Sequence, residues 1–74
     1  MNLNDISKNK QYIIKNINTS EIIKRRLYDL GVIKDAKIEL LYISPSKEIK
    51  AYSVKDALIS IRNKDAKMIE VYND

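Results

Sequence analysis

Apolar residues along this chain fall into short runs, and the period of each run changes with position. Leu3 and Ile6 open the sequence ahead of a polar turn, Ser7-Lys8-Asn9-Lys10. QYIIKNI, residues 11–17, is β-branched and aromatic, and reads as a strand. The pattern then shifts from two-residue to helical spacing over SEIIKRRLYDLGV, residues 20–32. At about 100° per residue, Ile23, Leu27 and Leu30 share a narrow apolar face with Ile22 on its flank, while Lys24, Arg25 and Tyr28 point the other way. Ser20 is the expected N-cap, with Asn18 as an alternative, and Glu21 lies where the helix dipole favours an anion. Gly31 is the expected left-handed ending, with Val32 folding back onto Leu27. Arg26 falls on the border of the apolar face. Its stem should lie over the core, with its guanidinium reaching a carbonyl or carboxylate. Glu21 and Arg25 have the favourable i,i+4 order.

Strand-type segments follow. AKIELLYIS, residues 36–44, alternates at Ile38, Leu40 and Tyr42, but Leu41 and Ile43 make its second face apolar as well. That implies a strand bending between two packing surfaces, as in a small barrel. After a Ser44-Pro45-Ser46 turn, KEIKAYSV (47–54) and ALISIR (57–62) flank a tight Lys55-Asp56 connection. NKDAK reads as one helical turn capped by Asn63, and MIEVY, residues 68–72, closes the chain as a strand with Ile69 and Val71 on one side. The expected fold is therefore mainly β with one α-helix: a small five-stranded barrel, closed or nearly closed because closure avoids exposed edges, with the helix packed over one end.

Length makes this one domain, residues 1–74. A chain this short buries a modest share of its surface, and small folds often add a disulfide or metal. With no Cys and no His, neither a disulfide nor a thiolate or imidazole zinc site can form. The same absence removes the usual general bases and thiol nucleophiles. Ser20, Ser44, Ser46, Ser53 and Ser60 have no base beside them in sequence. The acids Asp29, Asp56, Asp65 and Glu70 are scattered over different elements. No glycine-rich phosphate loop or calcium loop appears. The expectation is a non-enzyme without cofactor or metal. The amino terminus lacks the basic start and apolar core of a secretory signal, and no apolar run approaches the roughly 18 residues of a membrane span, so a soluble cytoplasmic protein is expected.

Net charge is +4, from 14 Lys+Arg against 10 Asp+Glu. The lysines are spread evenly, which suits a solvated surface better than a polyanion site. The remaining functional class is binding. Lys24, Arg25 and Tyr28 form one exposed group, and Tyr12, Tyr42, Tyr52 and Tyr72 fall on strands. These strand tyrosines read mostly as core or edge packing, their hydroxyls reaching water. A small basic nucleic-acid-binding barrel, with Lys24 and Arg25 on phosphates and tyrosines stacked on bases, is the alternative to a protein-binding module. A metal ion held by carboxylates has little support in the spacing.

Four stretches in order, RRLYDLGV (25–32), AYSVKD (51–56), LISIR (58–62) and DAKMIEV (65–71), resemble the FeoA domain, the small SH3-like barrel of bacterial ferrous iron uptake systems. The Arg26-Leu27 and Leu30-Gly31 pairs carry the most specific part, and Leu3, Ile6, Ile14 and Ile17 match the opening segment. Arg26, Leu27, Leu30 and Gly31 are thereby assigned to architecture. Asn9, Asp35 and Asp56 stand where that family usually has glycine, and Asn and Asp are the residues that best accept left-handed turn geometry. The resemblance implies a non-catalytic cytosolic accessory acting on the cytosolic region of the FeoB ferrous iron permease. Membrane contact would come only through that partner, and no nucleic acid would bind. A similar domain ends DtxR-type repressors, but DNA-binding and dimerisation parts are missing, so a stand-alone domain is expected. Lys24, Arg25, Tyr28 and Tyr52 are the expected partner contacts.

Overall fold

The computed structural model describes all residues, 1–74. A short 3-10 turn (Leu3–Asp5) leads into β1 (Gln11–Ile17), α1 (Glu21–Asp29), β2 (Lys37–Ile43), β3 (Ile49–Val54), β4 (Ala57–Arg62), a one-turn helix α2 (Asn63–Ala66) and β5 (Ile69–Asn73). The strands form one antiparallel sheet in the order β4-β3-β2-β1-β5. β4 and β5 are not hydrogen-bonded to each other. Of the closed or nearly closed barrel expected from the number of short strands, full closure does not form: the sheet is open and curled, with α2 running between the two edge strands.

Two irregularities give the sheet its curl. The register shifts between Ile14 and Asn16 on β1, and between Leu40 and Tyr42 on β2. Such bulges insert one residue and increase local twist. The first explains why Ile14 and Ile17, three residues apart, are both buried. The second corrects the reading of AKIELLYIS. Leu41, Tyr42 and Ile43 are all exposed, so the late part of β2 turns outward instead of packing on two surfaces. KEIKAYSV likewise begins two residues late. Lys47 adopts φ +65° and donates its N–H to Ser44 C=O at 2.9 Å, so residues 47 and 48 belong to the turn.

The left-handed corners lie where the sequence lacks glycine. Asn9, Asp35 and Asp56 have φ of 61°, 72° and 67°, the conformation expected of residues replacing glycine. Lys55 joins Asp56 at φ +51°, giving the two-residue hairpin turn that suits strand twist. The end of α1 forms as expected. Gly31 sits at φ +93°, Gly31 N–H reaches Tyr28 C=O at 3.0 Å, and Val32 N–H reaches Leu27 C=O at 2.8 Å. These are the paired bonds of a Schellman ending.

Ser20 caps α1, its Oγ accepting from Ile23 N–H at 3.4 Å. Leu27 is buried and Ile23 packs against the core, but Leu30 is 52% exposed and Ile22 71%. Leu30 is the C-cap, where the helix has already cleared the sheet. Gly31 turns the chain back so that Val32, fully buried, takes the place expected for Leu30. Asn63 is the first residue of α2 and not its cap. Arg62 holds the cap position, and Asn63 Nδ2 instead donates to Lys47 C=O at 2.6 Å.

All of the buried residues are apolar or tyrosine. At the centre lies Tyr52, flanked across the sheet by Leu40 and Ile59. One polar group closes the core's edge: Lys50, on the same side of β3 as Tyr52, extends to the amino-terminal turn. Its Nζ donates to Asn4 C=O at 2.8 Å and Asn4 Oδ1 at 3.0 Å. The lysine thereby ties the 3-10 turn to the sheet.

Candidate interaction surface

The outer side of α1 presents Lys24, Arg25 and Tyr28 together. Lys24 and Arg25 precede Tyr28 by four and three residues, so each is its neighbour on the helix surface, and Lys24 Nζ sits 5.8 Å from the Tyr28 ring centroid, a cation–π contact. With Glu21 these residues line a shallow hollow of about 210 Å³. Tyr28 and Arg25 are exposed. The expected Glu21–Arg25 ion pair does not form. Close oppositely charged pairs occur at Lys15–Glu70 (3.9 Å) and Lys37–Asp74 (3.6 Å). Arg26 is also corrected, being exposed and making neither the ion pair nor the carbonyl contact expected of it.

Tyr52 does not belong to this surface. It is 0% exposed, because its position on β3 points between Leu40 and Ile59 into the core. Burial pushes its phenol up to about 12, so it stays neutral and cannot serve as a surface contact or an acid–base group near neutrality. The other core tyrosine is held differently. Tyr12 is buried, and its hydroxyl accepts the Ser7 N–H at 3.2 Å, a bond that lowers its pKa below the ordinary value of 10. Only Tyr42 and Tyr72 among the strand tyrosines are exposed.

Three further features were not singled out by sequence. Arg26 of α1 and its C-cap Leu30 face Ser60, Ile61, Arg62 and Asp65 across a narrow cleft of about 220 Å³. A wider hollow of about 620 Å³ beside it is lined by Arg62, Lys64 and Lys67 with Glu48, Ile49 and Asn63. Leu58 on β4 is 63% exposed. The signal for β4 lies in ALISIR itself, where Leu58, Ser60 and Arg62 alternate against Ile59 and Ile61. Which of the outward residues would stay uncovered depends on sheet order, which alternation does not specify. No group of three or more Asp or Glu lies close enough to hold a metal ion. A hollow of about 420 Å³ is lined by Asp35, Glu39 and Asp56, but Lys37 and Lys55 line it as well and its carboxylates do not close into a metal-holding group. The arrangement offers surfaces for contact.

The FeoA domain model matches residues 1–73. The chain belongs to the FeoA family. Solved FeoA structures share its fold at low identity. The FeoA protein of Chlorobium tepidum superposes with a TM-score of 0.93 at 23% identity, over 99% of this chain and 70% of that one. Iron(II) transport protein A of Clostridium thermocellum gives 0.91 at 22% identity, over 99% of this chain but 45% of that one. The zinc-complexed FeoA of Stenotrophomonas maltophilia, described as a prokaryotic SH3-domain protein and a candidate ferrous iron transport activating factor, gives 0.81 at 21% identity, over 96% and 88%. The SH3-like architecture is therefore shared, with the β4–β5 side open here. A manganese-dependent transcriptional repressor matches at 0.86 and 13% identity, and this FeoA-family chain spans 41% of it. A search of curated proteins finds no match.

Proposed function

We propose that this FeoA-family chain is a non-catalytic cytoplasmic accessory of ferrous iron uptake, acting by protein–protein contact with the cytosolic region of a FeoB-type permease. The family match over residues 1–73 carries the reading. Two features of the molecule support it. Its hollows are shallow, and none holds three carboxylates close enough for a metal ion. Its distinctive chemistry lies on the outside, in the Lys24–Arg25–Tyr28 group and along β4. None of its helices is long and apolar enough to cross a membrane, so contact with the bilayer would come through the permease.

The basic surface favours a second reading, nucleic-acid binding, at one point: a lysine stacked on an exposed tyrosine is a fit platform for a base and its phosphate. Against it, Glu21 and Asp29 share the exposed side of α1 with the cations and break any continuous positive track. Co-purification with the permease's cytosolic region at physiological salt, with GDP and with a GTP analogue, tests the first reading. Retention in at least one nucleotide state is expected, and loss in all of them contradicts it. Oligonucleotide affinity that falls steeply with added salt would favour the second.

A further inference from the structure

The two edges of the sheet are treated differently. On β5, the amino-terminal segment lies alongside. Val71 N–H donates to Met1 C=O at 2.9 Å, and Asn2 forms an isolated bridge with Glu70. On β4 nothing does so. The Lys55–Asp56 turn has two residues, both at positive φ, which makes Val54–Ala57 the hydrogen-bonded pair closing the hairpin. Bonded and non-bonded pairs alternate along an antiparallel ladder. Tyr52–Ile59 and Lys50–Ile61 are therefore bonded too, and Leu58 and Ser60 turn their N–H and C=O groups, and Arg62 its N–H, away from β3, the Arg62 C=O being taken up as the N-cap of α2. The pairing of β3 with β4 runs through six residues without a bulge. No proline or bulge interrupts β4, and Arg62 and the cleft to α1 guard only its carboxyl half.

Surroundings of this edge differ from end to end. Leu58 makes the amino end apolar, and Leu30 is exposed in the cleft beside Ser60 and Arg62. At the carboxyl end, the two hollows hold Arg26, Arg62, Lys64 and Lys67 against Asp65 and Glu48, an excess of two positive charges. None of these six is in a close ion pair. A second copy would not match this. Antiparallel pairing about Ser60 sets Arg62 against the neighbour's Leu58 and its Lys55–Asp56 turn, one carboxylate beside one ammonium, and leaves the basic end unneutralised.

We infer that β4 is a strand-addition site for an extended segment of a partner protein that is acidic at its amino end and apolar after it. Pairing antiparallel, the commoner arrangement, that segment bonds to the outward groups of Leu58, Ser60 and Arg62. Its acidic residues lie by Arg26 and Arg62, and its apolar residues cover Leu58. The inference rests on the protein-binding reading above and names the surface it would use.

The test uses the full chain, isotope-labelled, titrated with capped synthetic peptides of alternating valine and threonine that carry either two glutamates or two lysines at the amino end. The expected result is saturable binding of the glutamate peptide, with the largest amide shifts at Leu58, Ser60 and Arg62, and roughly tenfold or weaker binding of the lysine peptide. Ser60→Pro removes an outward N–H and no ladder bond, so it should fold and fail to bind. Arg62→Glu should weaken the glutamate peptide by about tenfold and serves if the proline variant does not fold. Equal binding of the two peptides, unchanged binding by a folded Ser60→Pro or by Arg62→Glu, or self-association through β4 in place of peptide binding would overturn the inference. Permease binding that survives both substitutions would also sink it while leaving the proposed function intact. Peptide binding at β4 with no permease binding would uphold the edge and remove the partner.

Discussion

Replacing Gly31 isolates one physical cost that the structure makes readable. The residue sits at φ +93°, and the two hydrogen bonds ending α1 depend on that turn. A Cβ added there would lie 3.6 Å from Lys55 Cδ and 3.9 Å from Val54 Cγ1, ordinary contact distances. Space is therefore not the obstacle. What remains is the left-handed backbone, worth about 1–2 kcal/mol for a residue with a Cβ, and more for a β-branched one. Loss of glycine's freedom in the unfolded chain returns about 0.4–1 kcal/mol. The net expectation is about 1 kcal/mol lost for Gly31→Ala and about 2 kcal/mol for Gly31→Val, with Gly31→Asn closest to the parent. In a domain of this size each kcal/mol lowers Tm by about 4–8 °C. Thermal unfolding followed by far-UV circular dichroism, with denaturant midpoints for each variant, reads these values. A Gly31→Ala protein melting with the parent, or an Asn variant as damaged as the Val one, would refute the backbone origin of the cost.

Tyr52→Phe changes stability at high pH. Its folded phenol is raised to about 12 from an ordinary 10, so the unfolded chain ionises first and the parent loses stability as pH rises from about 10 to 12. Urea midpoints against pH should show that part of the fall flattened in the variant, and an identical fall would contradict the burial of Tyr52. Lys55→Asn with Asp56→Gly puts the preferred residues at φ 51° and 67°, and should raise the urea midpoint by an amount equivalent to roughly 1 kcal/mol. No gain would mean the turn is not of the assigned type. Lys50→Met removes both bonds to Asn4 and should cost about 1–2 kcal/mol, with faster amide exchange in residues 3–6. Unchanged exchange there would show that the lysine does not hold the amino-terminal turn.

Much of this molecule is legible from residue order, because local rules decide it. The ALISIR strand has the expected ends, and the Ser20 cap and the Gly31–Val32 ending follow from short-range chemistry. So do the corners at Asn9, Asp35 and Asp56, where φ is positive. What failed depends on partners distant in sequence. Tyr52 alternates like an outward or an inward residue equally well until the sheet order sets Leu40 and Ile59 beside it. Leu30 shares a helical face with Ile23, but the helix ends before the sheet does, and Val32 fills the core instead. The bulges on β1 and β2 are single-residue insertions that no periodicity announces, and they decide whether Leu41 and Ile43 face in or out. Closure failed for a related reason. Counting strands cannot say whether the first and last in sheet order will meet, and here β4 and β5 do not. On the exposed side, Lys24, Arg25 and Tyr28 were readable from the wheel, whereas the bare edge of β4 was not.

The central claim, that this domain works by surface contact with an iron permease, meets its most direct test in a titration. Isotope-labelled protein is mixed with the cytosolic region of the FeoB-type permease, loaded with GDP or with a GTP analogue. Saturable amide shifts at β4 or at Lys24, Arg25 and Tyr28, with core signals such as Tyr52 and Val32 unmoved, are the result expected. An unperturbed spectrum in every nucleotide state would contradict the account.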